Sequence, residues 1–540
     1  MRNIVLIGFM GTGKSAVGQI LARRLGWTFI DTDRRVETKE RATVAQLFAR
    51  RGEEYFRRSE AFVIAEAARK RDAVVATGGG VVLRPDNMRR LREHGWIVSL
   101  TAPVDVLLKR LSDGERRPLL RGDVRGNIAR LLDQRRPLYR DADVLIDVSV
   151  ASPERVADVV FDFLTRKERR TIPVRLDERT YPVHVGDGIL PLVPVDLAAL
   201  GAGRKVALLT HRNILRAGGD RLQGVLKSWG FEPVLLEVPA GEQSKSLAYA
   251  GALFTRLARG RFDRHSALVA LGGGVVGDLG GFVASAYMRG IRLIQVPTTL
   301  LAMVDSSIGG KTGINHARVK NLVGAFYQPS AVIADVRFLA TLPERELRSG
   351  IAEVIKTAVI GDSDLFEFLE EHLGAVLRRD TKPLVEVIAR CAAFKARIVE
   401  TDEGERGERQ ILNYGHTIGH AVEAAAGFRG LTHGEAVAIG MALEARLAQR
   451  LGLVNGETVD RQNTLIARAG LPVKLSAVSR QAVWRALALD KKVRDGVVRW
   501  PMLVGIGQLR REQEVPDALL AEVLGGQGPR RLRAQPQPAR

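Results

Sequence analysis

Ile4-Val5-Leu6-Ile7-Gly8-Phe9-Met10-Gly11-Thr12-Gly13-Lys14-Ser15 decides how the first part of this 540-residue chain folds. A short β-branched run enters a loop of the form G-x-x-x-x-G-K-S, and an amphipathic helical pattern leaves it. Glycines in such a loop let backbone N–H groups close around phosphate oxygens. The backbone from Gly11 through Thr12, Gly13, Lys14 and Ser15 to Ala16 is the expected cradle, with the Lys14 ammonium on the β/γ-phosphates and the Ser15 hydroxyl on Mg²⁺. A glycine-rich turn that matched by chance would leave the strand–loop–helix context unexplained. The pattern specifies a nucleoside triphosphate and says nothing of the phosphate acceptor.

Outward from this loop, residues 1–165 alternate short apolar runs with charged helical patterns. The runs Ile4–Ile7, Ala73–Ala76, Ile97–Leu100 and Val144–Ile146 read as buried parallel strands of a doubly wound α/β sheet. Asp31-Thr32-Asp33 follows the apolar Trp27–Ile30, so Asp31 and Asp33 project from a strand's carboxyl end, where such sheets bind ligands. Gly78-Gly79-Gly80 follows Ala73–Ala76 and allows close backbone approach. Arg57, Arg117 (in Arg116-Arg117-Pro118-Leu119-Leu120) and Arg135 (in Arg135-Arg136-Pro137-Leu138-Tyr139) are candidate clamps for carboxylate or phosphate. Singly, each arginine reads as a solvated charge; together and in this order they read as a site.

This set resembles the shikimate kinase family across nearly all of residues 1–165. The resemblance implies that Asp31 organises the Mg²⁺ shell, and that Asp33 binds the shikimate hydroxyls and serves as base. It implies that Arg57 and Arg135 hold the substrate carboxylate beside the Gly79 backbone, and that Arg117 closes over ATP as a lid arginine. Other small-molecule P-loop kinases are the alternative.

The charged run Arg166–Arg170 precedes a fresh strand-rich start at Ile172–Val185, which places a boundary near 168. Further strands are expected at Val206–Leu209, Pro233–Val238, Leu268–Leu271 and Leu293–Val296; beyond Pro343, long helical periodicity takes over, as in Leu365–Val376 and Leu384–Glu400. The expected domains are 1–168, then 169–524 with an α/β half (169–342) and an all-helical half (343–524), then a basic, disordered tail, 525–540. Gly272-Gly273-Gly274-Val275-Val276-Gly277-Asp278 follows a strand and opens an apolar helix, a weak dinucleotide signal. His416 and His420 stand four apart and share a helix face, with His433 close by and Glu353 as a possible carboxylate; a His/His/Glu shell with an open position suits catalytic zinc. Histidines satisfied inside a helical core are the bland alternative. Arg289, Lys311, Lys320, Lys356, Lys395 and Arg409 supply cations for an anionic substrate.

Residues 170–520 resemble the 3-dehydroquinate synthase family, through Pro297-Thr298-Thr299-Leu300-Leu301, Val304-Asp305-Ser306-Ser307-Ile308-Gly309-Gly310-Lys311-Thr312 and Lys320-Asn321-Leu322-Val323-Gly324-Ala325-Phe326. The resemblance implies a metal set of Glu353, His416 and His433, which replaces the His416–His420 pair that spacing alone suggests. His420 then lies at the substrate phosphate or assists proton transfer. NAD falls to Glu242, Lys245, Gly274, Asp278, Thr298 and Thr299, with Lys311 and Lys320 alongside. Substrate falls to Arg289, Asp305, Lys311, Asn321, Lys356, Lys395, Arg409, Asn413 and either Lys491 or Lys492; Lys311, Lys356 and His420 are the expected catalytic groups here, as Lys14, Asp33 and Arg117 are in the first site. Asn315-His316-Ala317-Arg318-Val319-Lys320 departs from the family's usual Pro-Leu-Gly before the lysine. The implied chemistry is transient oxidation of 3-deoxy-D-arabino-heptulosonate 7-phosphate by NAD on Zn²⁺ or Co²⁺, phosphate elimination, return of the hydride, ring opening and aldol closure. A polyol dehydrogenase or sugar-phosphate cyclase is the alternative for this unit.

Composition fits two soluble enzymes: 46% hydrophobic and 26% charged residues exclude global disorder. A net charge of +21 suggests nucleic acid, but aromatics at 5% are too few for a base-stacking surface, so anionic small molecules are the expected partners rather than nucleic acid or membrane. Cys391 is the single cysteine and fits a reducing cytoplasm. No apolar run reaches the roughly 20 residues of a spanning helix, and the N-terminus lacks a signal-peptide pattern. A homodimer through the synthase half is what the second family suggests.

Overall fold

The computed structural model describes residues 3–111, 120, 123–149, 152–165, 168–316, 319–405, 407–427, 430–476, 478–489, 493–494 and 497–525. Arg117, Lys491, Lys492, residues 317–318 and the tail beyond Gly525 lie outside them. The chain divides into two compact units with a border at Lys167–Glu168, and the short segments Pro191–Arg204 and Gly224–Glu232 group with the first.

Five strands form the first sheet: β1 (Asn3–Gly8), β2 (Thr28–Asp31), β3 (Ala73–Ala76), β4 (Gly95–Thr101) and β5 (Val144–Asp147). Their order is β2-β3-β1-β4-β5, every pairing parallel, as in Ile4 opposite Val74 and Trp96. β1 and β3 are buried along their whole length, which is why they read as unbroken apolar runs rather than alternating ones. The carboxyl ends of β1, β2 and β3 deliver the phosphate loop, Asp31 and Gly78–Gly80 to one edge.

The second unit adds β6 (Arg169–Val174), β7 (Tyr181–Gly186), β8 (Lys205–Thr210), β9 (Glu232–Glu237), β10 (Ala267–Gly272), β11 (Arg292–Pro297), β12 (Lys311–His316), β13 (Val319–Phe326) and β14 (Ala331–Asp335). The sheet order is β6-β7-β14-β11-β10-β8-β9, with β6 antiparallel to β7 and the pairings from β7 through β8 parallel. β12 and β13 form a separate antiparallel ribbon, Lys311 opposite Phe326. Neither β14 nor this ribbon was expected. β13 is exposed throughout, so no buried face imposes the period-two alternation that would reveal a strand.

Long helices then dominate: Glu344–Gly361, Ser363–Leu377, Thr381–Thr401, His416–Ala425, His433–Arg450, Gly456–Arg468 and Arg480–Leu489. The half expected to be wholly helical also carries an antiparallel three-stranded sheet, β15 (Val493–Arg494), β16 (Val497–Gly505) and β17 (Gln508–Glu514). Its turn, at left-handed Gly507, donates N–H to Val359 O at 2.8 Å, so the ribbon is docked on helix Glu344–Gly361 and buries Trp500, Met502 and Leu503.

Three helices meet closely because glycines face the neighbouring backbone. A Cβ on Gly440 would collide with the Gly415 carbonyl oxygen, and one on Gly434 with that of Ser349. Gly440→Ala is expected to destabilise the protein by about 1–3 kcal/mol through overpacking. Urea unfolding checks this, and an unchanged midpoint would show that the helices separate without cost.

Candidate active sites

In the first unit, helix Lys14–Leu25 starts at Gly13, which is left-handed (φ 86°) and provides no side-chain cap for the first-turn N–H groups. Lys14 Nζ donates to the carbonyls of Gly8 and Phe9 at 2.9 Å each, and Thr12 Oγ1 donates to Phe9 O at 2.8 Å. Ser15 Oγ donates to Asp31 Oδ2 at 2.7 Å, which joins the two expected magnesium residues. Asp31 also caps helix Thr32–Glu40 by accepting from Arg34 N.

Asp33, in the first turn of that helix, is half-buried, and its buried Oδ1 has no hydrogen-bond partner among the described residues. Burial and then the Glu60 carboxylate push its carboxyl up to about 6, against the pull of Lys14. Gly78 must be a glycine here: a Cβ would stand 2.5 Å from Asp33 Oδ1 and 2.6 Å from Glu60 Oε1. Arg57 is held by Glu60 (2.8 Å) and Glu53 (3.0 Å). Arg135 Nη1 and Tyr139 Oη both donate to Gly79 O, at 3.3 and 2.5 Å. Asp33, Arg57, Gly79 and Arg135 are thus brought to one place. Glu60 and Tyr139 were missed, although Glu60 stands three residues after Arg57 and Tyr139 four after Arg135, the helical-neighbour spacings.

In the second unit a cavity of about 1850 Å³ is walled by Glu242, Lys245, Gly274, Asp278, Thr298, Thr299, Lys320, Asn321, His420 and His433, all expected site residues. Helix Gly274–Ala286 begins on this wall without a side-chain cap. The Thr298 hydroxyl is buried and finds no partner among the described residues, an acceptor or donor a ligand can satisfy. Lys245 Nζ joins Asp278 Oδ2 (2.7 Å) and Asn321 Oδ1 (2.5 Å), while Asn315 Nδ2 donates to Glu242 Oε1 at 2.8 Å. Asn315 thereby ties the ribbon to the glutamate, and two of the three positions that depart from Pro-Leu-Gly, 317 and 318, lie outside the described residues.

Glu353, His416 and His433 come from three different helices, and their ligand atoms lie within 4.8 Å of one another. His416 Nε2 is 3.4 Å and His433 Nε2 3.5 Å from Glu353 Oε1. Among the described residues both Glu353 oxygens are buried without a hydrogen bond, and Oε2 pairs with the Lys356 ammonium at 2.5 Å. His416 Nδ1 meets Tyr414 O at 3.2 Å, leaving Nε2 for an ion. The donor set, one carboxylate and two imidazoles, fits a zinc-type cation. Burial would raise Glu353, but Lys356 and the histidines win and hold it well below the usual carboxylate range. Burial and Lys356 push His416 well down, so it is neutral. Burial opposes charge on His433, yet Glu353 and Glu423 raise it to about 9, so it must lose a proton to bind metal. Buried Glu444 accepts from Gly415 N (2.6 Å) and Ile418 N (3.3 Å), anchoring the His416 helix to the His433 helix.

Beside this cluster Lys395 Nζ contacts Asp305 O and Oδ1 at 2.5 Å each. Burial lowers Lys395 to about 8; burial would raise Asp305, but Lys395 and Lys356 hold it at about 2. Lys311 pairs with Glu405 and feels both Arg409 and Asp305. Arg409, 1% exposed, donates to Gly309 O (2.9 Å) and Glu403 O (2.8 Å), so in this conformation it shapes the glycine turn before Lys311. Asn413 ends the turn Glu408–Asn413 just before the His416 helix. Arg289 is exposed, at φ 63°, and is not part of the cavity wall. Sequence reasoning also missed Glu423, although its spacing from His420 was a usable signal.

Two sites of this kind define a P-loop phosphotransferase joined to an enzyme with a dinucleotide-type cavity and a three-ligand cation centre. Family models agree: shikimate kinase matches residues 10–165, and the N- and C-terminal parts of 3-dehydroquinate synthase match 235–349 and 350–493. A 3-dehydroquinate synthase of Synechococcus is 48% identical over 358 residues, which are 65% of this chain and 97% of that protein. A 2-deoxy-scyllo-inosose synthase, solved with carbaglucose-6-phosphate, NAD⁺ and Co²⁺, aligns at TM-score 0.61 and 29% identity over 66% of this chain and 99% of its own. A Streptomyces hygroscopicus 2-epi-5-epi-valiolone synthase, solved with NAD⁺ and Zn²⁺, aligns at 0.59 and 31% over 65% and 97%. The chain belongs to the 3-dehydroquinate synthase family and carries a shikimate kinase domain ahead of it, a bifunctional kinase and lyase of the shikimate pathway.

Proposed function

We propose that residues 1–168 phosphorylate shikimate to shikimate 3-phosphate, that 169–524 convert 3-deoxy-D-arabino-heptulosonate 7-phosphate to 3-dehydroquinate and phosphate, and that 525–540 is an appended basic tail. In the first site MgATP supplies the phosphoryl group and the cation that neutralises it. The amides from Gly11 to Ala16 and the Lys14 ammonium hold the phosphates, while Ser15 and Asp31, already hydrogen-bonded, hold the cation. Arg57, Arg135 and the Gly79 backbone hold the substrate carboxylate and ring. Asp33 receives the hydroxyl proton on its unpartnered Oδ1. Arg117 closes over ATP.

In the second site zinc or cobalt supplies a Lewis acid, and NAD a reversible hydride acceptor. Glu353, His416 and His433 hold the metal; that cluster, beside a large cavity, is the observation that carries this reading. Glu242, Lys245, Gly274, Asp278, Thr298, Thr299, Lys311 and Lys320 bind the dinucleotide. Lys311, Lys356, Lys395, Arg409, Asp305, Asn321, Asn413, Arg289 and Lys491 or Lys492 bind the substrate's phosphate, carboxylate and hydroxyls, and His420 moves a proton at the departing phosphate. No described helix is long and apolar enough to cross a membrane, and a cytoplasmic location fits a lone buried cysteine. A homodimer through the synthase half is supported by exposed Val319, Leu322, Val323 and Phe326 on β13.

Asp33 accepts a proton only when ionised, so kcat/KM for shikimate should rise through pH about 6 and level off above it. A flat profile between pH 5 and 7 (~one unit either side) would remove Asp33 as the base. For the second site, product formed per bound NAD should be many-fold, and a zinc-selective chelator should abolish lyase activity while leaving kinase activity intact. Stoichiometric accumulation of NADH would point instead to a dehydrogenase.

A further inference from the structure

Glu423 is absent from the roles above, yet it stands where it can govern the metal centre. It sits on helix His416–Ala425, is 8% exposed, and its Oε2 lies 3.2 Å from His433 Nδ1. The other ring nitrogen, His433 Nε2, faces Glu353. The two nitrogens of an imidazole point to different sides of the ring, so a carboxylate on Nδ1–H leaves the Nε2 lone pair for a cation. The second Glu423 oxygen, Oε1, takes Lys320 Nζ at 3.3 Å. Lys320 lies on β13, and the next residue, Asn321, accepts a hydrogen bond from Lys245, itself paired with Asp278. A continuous polar chain therefore runs from the metal ligand to the dinucleotide wall.

We propose that Glu423 is a positioning residue that fixes the tautomer and ring orientation of His433, and that Lys320 acts on the metal by holding Glu423 in place. The inference rests on Glu353, His416 and His433 as the metal ligands. A rival geometry is present: His420, Glu423 and His433 also bring ligand atoms within 4.8 Å, which would make Glu423 a ligand itself. The sign of the Lys320 effect separates mere charge from positioning. Removing a cation near a metal should tighten binding if only charge matters, but loosen it if Lys320 steadies Glu423.

Zinc affinity of the full chain, measured by competition with a chromogenic chelator, tests this without using activity. Glu423→Gln should weaken zinc roughly 10–100-fold, the usual effect of losing an outer partner of a metal-bound histidine. Lys320→Met should weaken zinc in the wild-type background and have no further effect in Glu423→Gln. His420→Gln should leave zinc affinity unchanged. In cobalt-loaded protein Glu423→Gln should also shift the visible absorption bands, which a merely structural role would leave in place. Unchanged zinc affinity in Glu423→Gln, or tighter binding in Lys320→Met, overturns the positioning role. An equal loss in His420→Gln overturns it in favour of direct ligation. Wild-type protein that binds no zinc, or Glu353→Gln that binds it undiminished, rejects the ligand assignment itself.

Discussion

The approach of three helices around Gly434 and Gly440 is the constraint on which the second site depends. With no side chain at Gly440, the backbone before His416 lies against the His433 helix; with none at Gly434, the His433 helix starts against Ser349, one turn before Glu353. Glu444 fastens the first contact by accepting two N–H groups at the start of the His416 helix, where an acidic group also suits the helix dipole. Three ligands from three helices then converge without a loop having to carry them. Sites held by packed helices keep their geometry better than sites on loops.

Charge in both sites is arranged against its own burial. In the kinase unit the carboxylates of half-buried Asp33 and buried Glu60 lie near one glycine, and Arg57 answers mainly Glu60, so desolvation and the Glu60 charge keep Asp33 high. In the synthase unit Glu353, Lys356, Asp305 and Lys395 alternate in sign and are mutually held, so removing one partner leaves a buried charge unpaired. On the proposed function, an anionic substrate enters surroundings that already hold balanced charge and meets Lys356 and Lys395, where its carboxylate or phosphate replaces a protein partner.

Much of this was legible in the sequence where function is local. The loop from Gly8 to Ser15, the Asp31/Asp33 pair and Gly78–Gly80 each follow a buried strand, so pattern and position agree. The strands of both main sheets read well for the same reason, apart from β14. The clustering of Glu353, His416 and His433 was legible only through family resemblance. Spacing pairs His416 with His420, and their rings do stand 5.2 Å apart, but His420 is exposed and faces the Glu423 side. His433 joins the set through the tertiary contact at Gly440, which no periodicity encodes. The β12–β13 ribbon and the sheet of β15 to β17 escaped notice because β13 is exposed along its whole length and the other sheet lies among helices. Arg409, expected to contact substrate, holds the carbonyls of Gly309 and Glu403 with two of its guanidinium nitrogens, while its buried Nε finds no partner among the described residues.

Anomalous diffraction from zinc-loaded crystals at the zinc edge tests the central claim most directly. One strong peak in the synthase unit is expected, bounded by a Glu353 carboxylate oxygen and the Nε2 atoms of His416 and His433. A peak bounded by His420, Glu423 and His433 Nδ1, with Glu353 still paired only to Lys356, would contradict the account.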